Sequence, residues 1–375
     1  MIAMPDKKLK LIHVVRRYGP VGGMERYVWE LTRELRQLGH QVTVVCERCH
    51  VEKPEGMDVY ELGEITQRPR WLSLLRFGAR VADWLDTYPH HGWLIHSHER
   101  LGVHHVTTFH GPPFATVFKR PFWRWLSLRV WMQLYLERRE LSIARSIIPN
   151  SGFIKRQLTY YYPQQQAKLT EPIVPGVLPS AVVRDWQLVP EKGGVIGFVG
   201  KEWRRKGLPL AVEIAAQIRR ERPLLELWVV GPEPQEIRHL FSGWQGGYRL
   251  LGWRNDLEYL GEIDVLLHPA NAEPYGMVIS EAMAACVPVV ISNQCGAADE
   301  VSVASGQVVP LDADLADWCR AVTKQLSRTD KFVPYTRSWR DVAQDHEAIY
   351  LTMINLFSPR DQGRTGRDEL FVMRR

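Results

Sequence analysis

Short β-prone runs alternate with amphipathic helical patterns along nearly the whole chain, and the alternation starts afresh about halfway. That rhythm restricts the fold more than any other feature, because strands separated by helices of this length pair in parallel and need helices on both faces of the sheet. The first cycle opens with the strand LKLIHVV, the loop RRYGPVGG and a helix in which Val28, Leu31, Leu35 and Leu38 recur at helical spacing before Gly39 stops it. Strand QVTVVC follows, then a helix around Trp71 to Leu85, strands WLIHS and VTTF, a basic aromatic helix, strand SIIPN and a helix after Ser151. The second cycle begins at GGVIGFVG and runs through helix LPLAVEIAAQIRRE, strands LLELWVVG and YRLLGW, helix DLEYLGEI, strand DVLLHPA, helix YGMVISEAMAA, strand VPVVIS and a helix through DADLADWCRAVTKQL. The expected class is α/β, with two doubly wound domains facing a central cleft and ligands bound beyond the carboxyl ends of the strands.

A chain of 375 residues exceeds what one hydrophobic core usually fills, which agrees with two domains. The Pro-containing connection from Ile173 to Pro190 reads as the linker. The expected divisions are residues 1–178 and 179–337, with a helix over about 338–357 packing back on the first domain and a basic tail over 358–375. No run of 18 or more apolar residues occurs, which excludes an ordinary membrane-spanning helix. The start MIAMPDKKLKLIHVV does not read as a secretory signal, so a cytoplasmic location is expected, with any membrane contact peripheral.

Five cysteines include Cys46 and Cys49, which with His50 spell CERCH, the attachment pattern of c-type haem. The motif closes an apolar strand in a chain without an export signal, so a strand-end thiol pair is expected instead of haem or zinc. Cys286, Cys295 and Cys319 are too scattered to complete a metal site.

Three segments carry possible chemistry. The loop Gly19 to Gly23, between the first strand and the first helix, suits either a phosphate held by backbone amides or a plain tight turn. In GFVGKEWRRKG, Lys201, Arg204, Arg205 and Lys206 crowd one loop, as a solvated basic turn or as a diphosphate site. In EPYGMVISE, Pro274 suits the first helical turn, which places Glu273 just outside the helix and Glu281 two turns along it. The amides around Gly276, Met277 and Val278 are then free for a ligand, and the two carboxylates can each accept hydroxyl hydrogen bonds. The string Asp312-Ala-Asp314 reads as helix start and capping, not as a metal site.

The segment EPYGMVISEAMAACVPVV resembles the signature of retaining glycosyltransferase family 4, whose GT-B fold has two Rossmann-like domains. The chain is similar to that family also at GPVGGMERYVWELTRELRQLGHQVTVV, TTFHG, FVGKEWRRKG, LLGWRNDLEYLGEIDVLLHPA and SWRDVAQDHEAIY, from Leu9 to about Tyr350. The resemblance implies that Glu273 holds donor-sugar hydroxyls, Glu281 holds the nucleotide ribose, and Gly22 and Gly23 approach the diphosphate. It implies that Lys206 binds phosphate, with Lys201, where the family more often has arginine, or Arg205 as the second anchor, and that His110 positions the donor sugar. The donor would be a nucleotide diphosphate sugar, UDP-linked as in UDP-glucose. Catalysis would stabilise charge on the leaving diphosphate with cations and helix dipoles and require no divalent ion. A nucleotide-sugar epimerase and a catalytically silent membrane partner are the competing classes.

The net charge of +6 is concentrated in one place. From Lys119 to Arg145, seven basic residues stand against Glu137 and Glu140, and Phe118, Phe122, Trp123, Trp125, Trp131 and Tyr135 are interleaved with Arg120, Arg124 and Arg129. The 114–145 segment therefore suits the headgroup region of an anionic membrane, beside a glycolipid acceptor. A core helix whose arginines bind the protein's own carboxylates is the alternative. Nucleic acid is not an expected partner, because no nucleic-acid motif accompanies the aromatic residues. Within the family the resemblance is greatest to enzymes of the lipopolysaccharide core.

Overall fold

The structure, a computed structural model, describes residues 8–65, 68–179, 184, 189–254, 256–330 and 332–356. The chain divides into two compact units, one formed by the chain up to Pro175 together with the segment from Trp339 onward, the other by Gly176–Ser338.

The first unit runs β1 (Lys10–Val14), β2 (Arg17–Tyr18), α1 (Gly23–Gln37), β3 (Gln41–Cys46), β4 (Arg48–Cys49), β5 (Asp58–Glu61), α2 (Arg70–Thr87), β6 (Leu94–Ser97), β7 (Val106–Phe109), α3 (Leu128–Ile143), β8 (Ser146–Pro149) and α4 (Gly152–Tyr161). Its main sheet has the order β5-β3-β1-β6-β7-β8, with every neighbouring pair parallel. The inner strands are buried on both faces, so they read as largely apolar runs, with His13, Thr43 and His96 buried among the aliphatic residues. On α1 the residues Val28, Leu31 and Leu35 are fully buried, and Gly39 takes the left-handed conformation that ends the helix (φ +93°).

The second unit runs β9 (Gly193–Val199), α5 (Leu208–Ile218), β10 (Leu224–Val230), α6 (Pro234–Ile237), β11 (Tyr248–Gly252), β12 (Val265–His268), α7 (Met277–Ala284), β13 (Val289–Ser292), β14 (Gly306–Val309) and α8 (Leu315–Leu326). Its sheet has the order β11-β10-β9-β12-β13-β14, again parallel throughout. Trp318 of α8 is fully buried among Phe198, Leu208, Ile214, Leu227 and Leu267. Each such side chain contributes roughly 1.5–3 kcal/mol of burial.

The last helix, α9 (Trp339–Leu356), packs against α1 and so returns the chain to the first unit. Its buried positions Trp339, Val342, Ala343, His346 and Tyr350 recur every three or four residues and form one face. The Tyr27 ring meets Trp339 edge-on at 5.4 Å, and the Tyr350 hydroxyl lies 2.6 Å from His96 Nδ1. The basic tail expected over 358–375 lies outside the described residues.

Four local expectations need correction. The basic aromatic segment is not one helix: Phe114–Lys119 and Phe122–Leu126 form separate 3-10 turns, each preceded by a proline, before α3 begins. Pro121 has no amide for a continuing helix and restricts the residue before it. DLEYLGEI forms only the 3-10 turn Glu258–Gly261, which ends at a glycine. Pro274 lies outside helix α7, whose cap is the left-handed Gly276, so Glu281 sits little more than one turn into the helix. Asp314 occupies the cap position of α8, but its side chain makes no capping hydrogen bond.

In both sheets the first strand lies at the centre, and the chain reverses its direction of travel there. This puts the topological switch between β1 and β6 in one unit and between β9 and β12 in the other. Loops leaving the carboxyl ends of those strands splay apart and leave room for a ligand.

Beside the first switch, the completely buried Glu137 of α3 ties down the chain after β7. It accepts hydrogen bonds from the Phe114 amide (2.6 Å), the Ala115 amide (3.2 Å) and the Tyr162 hydroxyl (2.6 Å), and pairs with Arg100 at 2.7 Å. Removing the carboxylate leaves a guanidinium and three buried donors without their acceptor. Glu137→Ala should therefore destabilise the first unit by about 3–5 kcal/mol, seen as an earlier transition in thermal unfolding. A melting curve like that of the unaltered chain would contradict this role.

Candidate active site

In the second unit the sequence after β9 folds as it does because of two glycines. Gly200 (φ +155°) has no room for a β-carbon, since the aliphatic part of Lys206 lies across it. At Gly207 (φ +83°) a β-carbon would meet the Pro269 carbonyl oxygen. The loop between them therefore bends back over the end of β12 and brings Arg205 and Lys206 to Glu273. Lys206 Nζ lies 3.2 Å and Arg205 Nη1 3.3 Å from the Glu273 carboxylate, and His268 Nε2 lies 3.5 Å from it. Arg205 also donates to the Ala272 carbonyl and pairs with Glu202 at 2.5 Å.

Glu273 is 7% exposed. Burial alone would raise its pKa, but Lys206, His268 and Arg205 together outweigh it and hold the carboxyl well below the usual carboxylate range. Burial lowers the pKa of His268, so that ring is neutral at physiological pH. The backbone of Glu273 is fixed as well, by its amide on the Gln294 carbonyl (2.9 Å) and by the Gly296 amide on its own carbonyl (2.8 Å).

Gly276 lies directly under Glu273, where a β-carbon would come 3.1 Å from Glu273 Cγ. Met277 and Val278 begin α7, so their amides belong to the first turn, which has no partners within the helix. Glu281 is buried on the same helix. Of the residues expected from the sequence, the fold thus gathers Arg205, Lys206, Glu273 and Gly276 into one cluster and places Met277, Val278 and Glu281 on the adjoining helix. Lys201 is apart from them, exposed at the start of the loop, while Arg204 stacks on Trp203 at 4.0 Å from the ring centre.

The first unit holds Gly22, Gly23 and His110. Gly22 caps α1, and the position a β-carbon would take there is occupied by the carboxylate of Glu25, itself paired with Arg17. The chain's own acid therefore sits at Gly22, whereas Gly23 faces open space. A cavity of about 440 Å³ opens nearby, lined by Glu25, His98, Glu99, Arg100, His110 and Glu140 among others. Tyr27 of α1 meets the His110 ring edge-on at 4.9 Å.

Several residues of these sites gave little signal in the sequence. His268 ends the apolar run VLLH, and a histidine closing a wholly buried strand was the available hint. Glu99 and Glu140 come from distant segments, and their shared cavity is a product of the fold.

Comparison with known proteins fits this arrangement. The second unit matches the family model described as "Glycosyl transferases group 1" over residues 193–328, and the first matches "Glycosyltransferase Family 4" over residues 21–171. The chain belongs to glycosyltransferase family 4. It is 27% identical to the lipopolysaccharide glucosyltransferase WaaG of Escherichia coli over 164 residues, which is 42% of this chain and 43% of that protein. It is 27% identical to the phosphatidyl-myo-inositol mannosyltransferase of Mycolicibacterium smegmatis over 293 residues, 72% of each chain. The crystal structure of WaaG superposes with a TM-score of 0.74 at 19% identity, over 93% of this chain and all of that one. Anabaena HepE in complex with UDP-glucose gives 0.62 at 15% identity, over 92% of this chain and all of that one. The fold of this family 4 chain is therefore GT-B, two parallel-sheet α/β units.

In the cavity of the family 4 chain's first unit, burial shifts two acids toward their neutral form. Burial raises Glu99 to about 7 and Glu140 to about 8. The Thr107 hydroxyl donates to Glu140 Oε1 at 2.6 Å, while Glu140 Oε2 has no hydrogen-bond partner among the described residues. The folded state keeps a proton on Glu140 that the unfolded chain releases in the usual carboxylate range. Stability is then greatest below that range and falls as pH rises toward about 8. Glu140→Gln removes the titration, so its melting temperature should exceed that of the unaltered chain at pH 8 by about 3 °C or more, with the gap closing at pH 5. A gap independent of pH would refute the assignment.

Proposed function

We propose that the chain is a retaining, metal-independent hexosyltransferase that moves a sugar from a UDP-linked donor to a glycolipid acceptor, in assembly of the lipopolysaccharide core. The observation that carries this is the buried Glu273 carboxylate between Lys206 and Arg205, at the carboxyl end of β12 beside the α7 N-terminus. The carboxylate is ionised and nearly desolvated, which suits it to accept hydrogen bonds from sugar hydroxyls. Its cationic neighbours, with the Met277 and Val278 amides, are suited to the diphosphate. As the glycosidic bond breaks, they meet the charge gathering on the leaving oxygen, and this is where preorganised donors contribute most to rate. Glu281 is assigned to the ribose, Lys201 to the outer phosphate contacts, and His110 to positioning the transferred sugar. Attack from the face the leaving group departs accounts for retention without a protein nucleophile.

The relatives named above support a glycolipid acceptor by analogy, and an exposed surface in the first unit supports it independently. Phe122 (64% exposed), Trp123 (62%), Leu126 (78%), Leu128 (67%), Trp131 (53%) and Tyr135 (52%) face solvent. Lys119, Arg120 and Arg129 are exposed among them. The opposite face of α3 is core, with Val130, Leu134 and Leu141 buried, and Arg100 rather than a segment arginine pairs with Glu137. One face of the segment is thus core, and the other leaves rings and cations exposed to solvent. Apolar rings beside cations favour peripheral docking on anionic lipid at the inner face of the cytoplasmic membrane.

Lys206→Ala and Glu273→Gln should each lower transfer by about a hundredfold or more. Full transfer by either variant would remove that residue from the mechanism. A screen of uridine, guanosine and adenosine diphosphate sugars for thermal stabilisation should single out the uridine series. The chain should sediment with vesicles containing anionic lipid in low salt, and Trp123→Ala with Trp131→Ala should abolish this. Equal recovery on neutral vesicles would sink the docking assignment.

A further inference from the structure

Behind His110 runs a row of imidazoles that the proposed chemistry does not use. His98 Nδ1 lies 2.9 Å from His110 Nε2, and His98 Nε2 lies 3.1 Å from His13 Nδ1. His13 belongs to β1, while His98 and His110 directly follow the neighbouring strands β6 and β7, so the parallel sheet sets the three rings side by side. His96 stands beside the row and is engaged elsewhere, with Tyr350 at 2.6 Å and Thr108 at 2.8 Å. His13, His96 and His98 do bring ring nitrogens within 4.8 Å of one another, but these hydrogen bonds already use most of their nitrogens.

The rings in the row are neutral. Burial lowers His13 and His110 to about 3 and takes His98 well below its ordinary value. A neutral imidazole has one N–H and one lone pair. In a row joined by N–H···N bonds, every ring must therefore carry its proton on the same side, and only two polarities exist. They differ at the ends. In one, His13 Nε2 is an N–H, and in the other it is a bare lone pair. His13 Nε2 is buried with no hydrogen-bond partner. A buried N–H without an acceptor is rarer in folded proteins than an acceptor left unfilled. The second polarity is thus the stable one, with the proton on Nδ1 in His13, in His98 and in His110.

We propose that the His13–His98 row locks His110 in its Nδ1–H tautomer, so that His110 presents a hydrogen-bond donor to the cavity, and that His98 is the positioning residue. A histidine side chain free in water prefers the Nε2–H form, so the fold reverses the intrinsic preference. His110 Nδ1 has no partner among the described residues, and the ring lines the cavity with Gly111 and Phe114. The matching ligand atom is a hydrogen-bond-accepting oxygen, such as that of a sugar hydroxyl. The assignment of that oxygen rests on the proposed function, whereas the tautomer does not.

The test is long-range proton–nitrogen NMR of the full chain carrying ¹⁵N-histidine, with the His110 signals assigned by their loss in His110→Gln. His110 should show a protonated Nδ1 and a bare Nε2. His98→Ala should return it to the Nε2–H form, and His98→Gln, whose amide donates to His110 Nε2, should restore the Nδ1–H form. His13→Leu, which leaves the His98–His110 pair in place, should give a mixture and serves if His98→Ala fails to fold. A proton on His110 Nε2 in the unaltered chain, or a His110 spectrum indifferent to His98→Ala, would overturn the proposal. Full UDP-glucose turnover by His110→Gln would count against the proposed function alone and leave the tautomer standing.

Discussion

Within each main sheet every strand points the same way, and the consequences of that polarity reach each site. Parallel strands present their carboxyl ends along one edge, and helices on both faces bury all but that edge and its opposite. At the central strand of each unit the connections diverge, so polar side chains can gather without the cost of being sealed in apolar packing. In the second unit this edge carries Gly200, Lys206, His268 and Glu273, and in the first it carries His98, Glu99 and His110. Without the common polarity these residues would be dispersed over two edges.

The two sites use burial in opposite ways. Glu273 is kept ionised because two cations and a histidine outweigh its desolvation. Glu99 and Glu140 have less compensation, and burial shifts both toward the protonated form. One arrangement suits binding to hydroxyls beside a charged diphosphate. The other gives a cavity whose walls can donate as well as accept, with the histidine row reinforcing the donor character. Such contrasts come from environment, since the side chains are chemically the same.

Some of this was legible in the residues. The alternation of strands and helices, the restart at GGVIGFVG and the helical periodicity of α1 follow from local pattern, and the structure reproduces them. EPYGMVISE drew attention to Glu273 and Glu281, yet the position of Pro274 suggested a helix start three residues too early, because Gly276 in the left-handed region was the true cap. The aromatic segment looked like one helix, but it breaks at Pro121 and again at Ser127. Lys201, Arg204, Arg205 and Lys206 were equivalent by charge and spacing, and only the bend between Gly200 and Gly207 separated those that reach Glu273.

Taken alone, the sequence determined the α/β class, the two-unit plan and the family, because periodicity, apolar runs and contiguous motifs are properties of neighbours along the chain. Tertiary structure decided which cations meet which carboxylate, where His268, Glu140 and Glu137 lie, and how His13, His98 and His110 come into line. Those contacts join residues far apart in sequence, and their strength depends on exclusion of water, which exists only once the sheets and helices have packed.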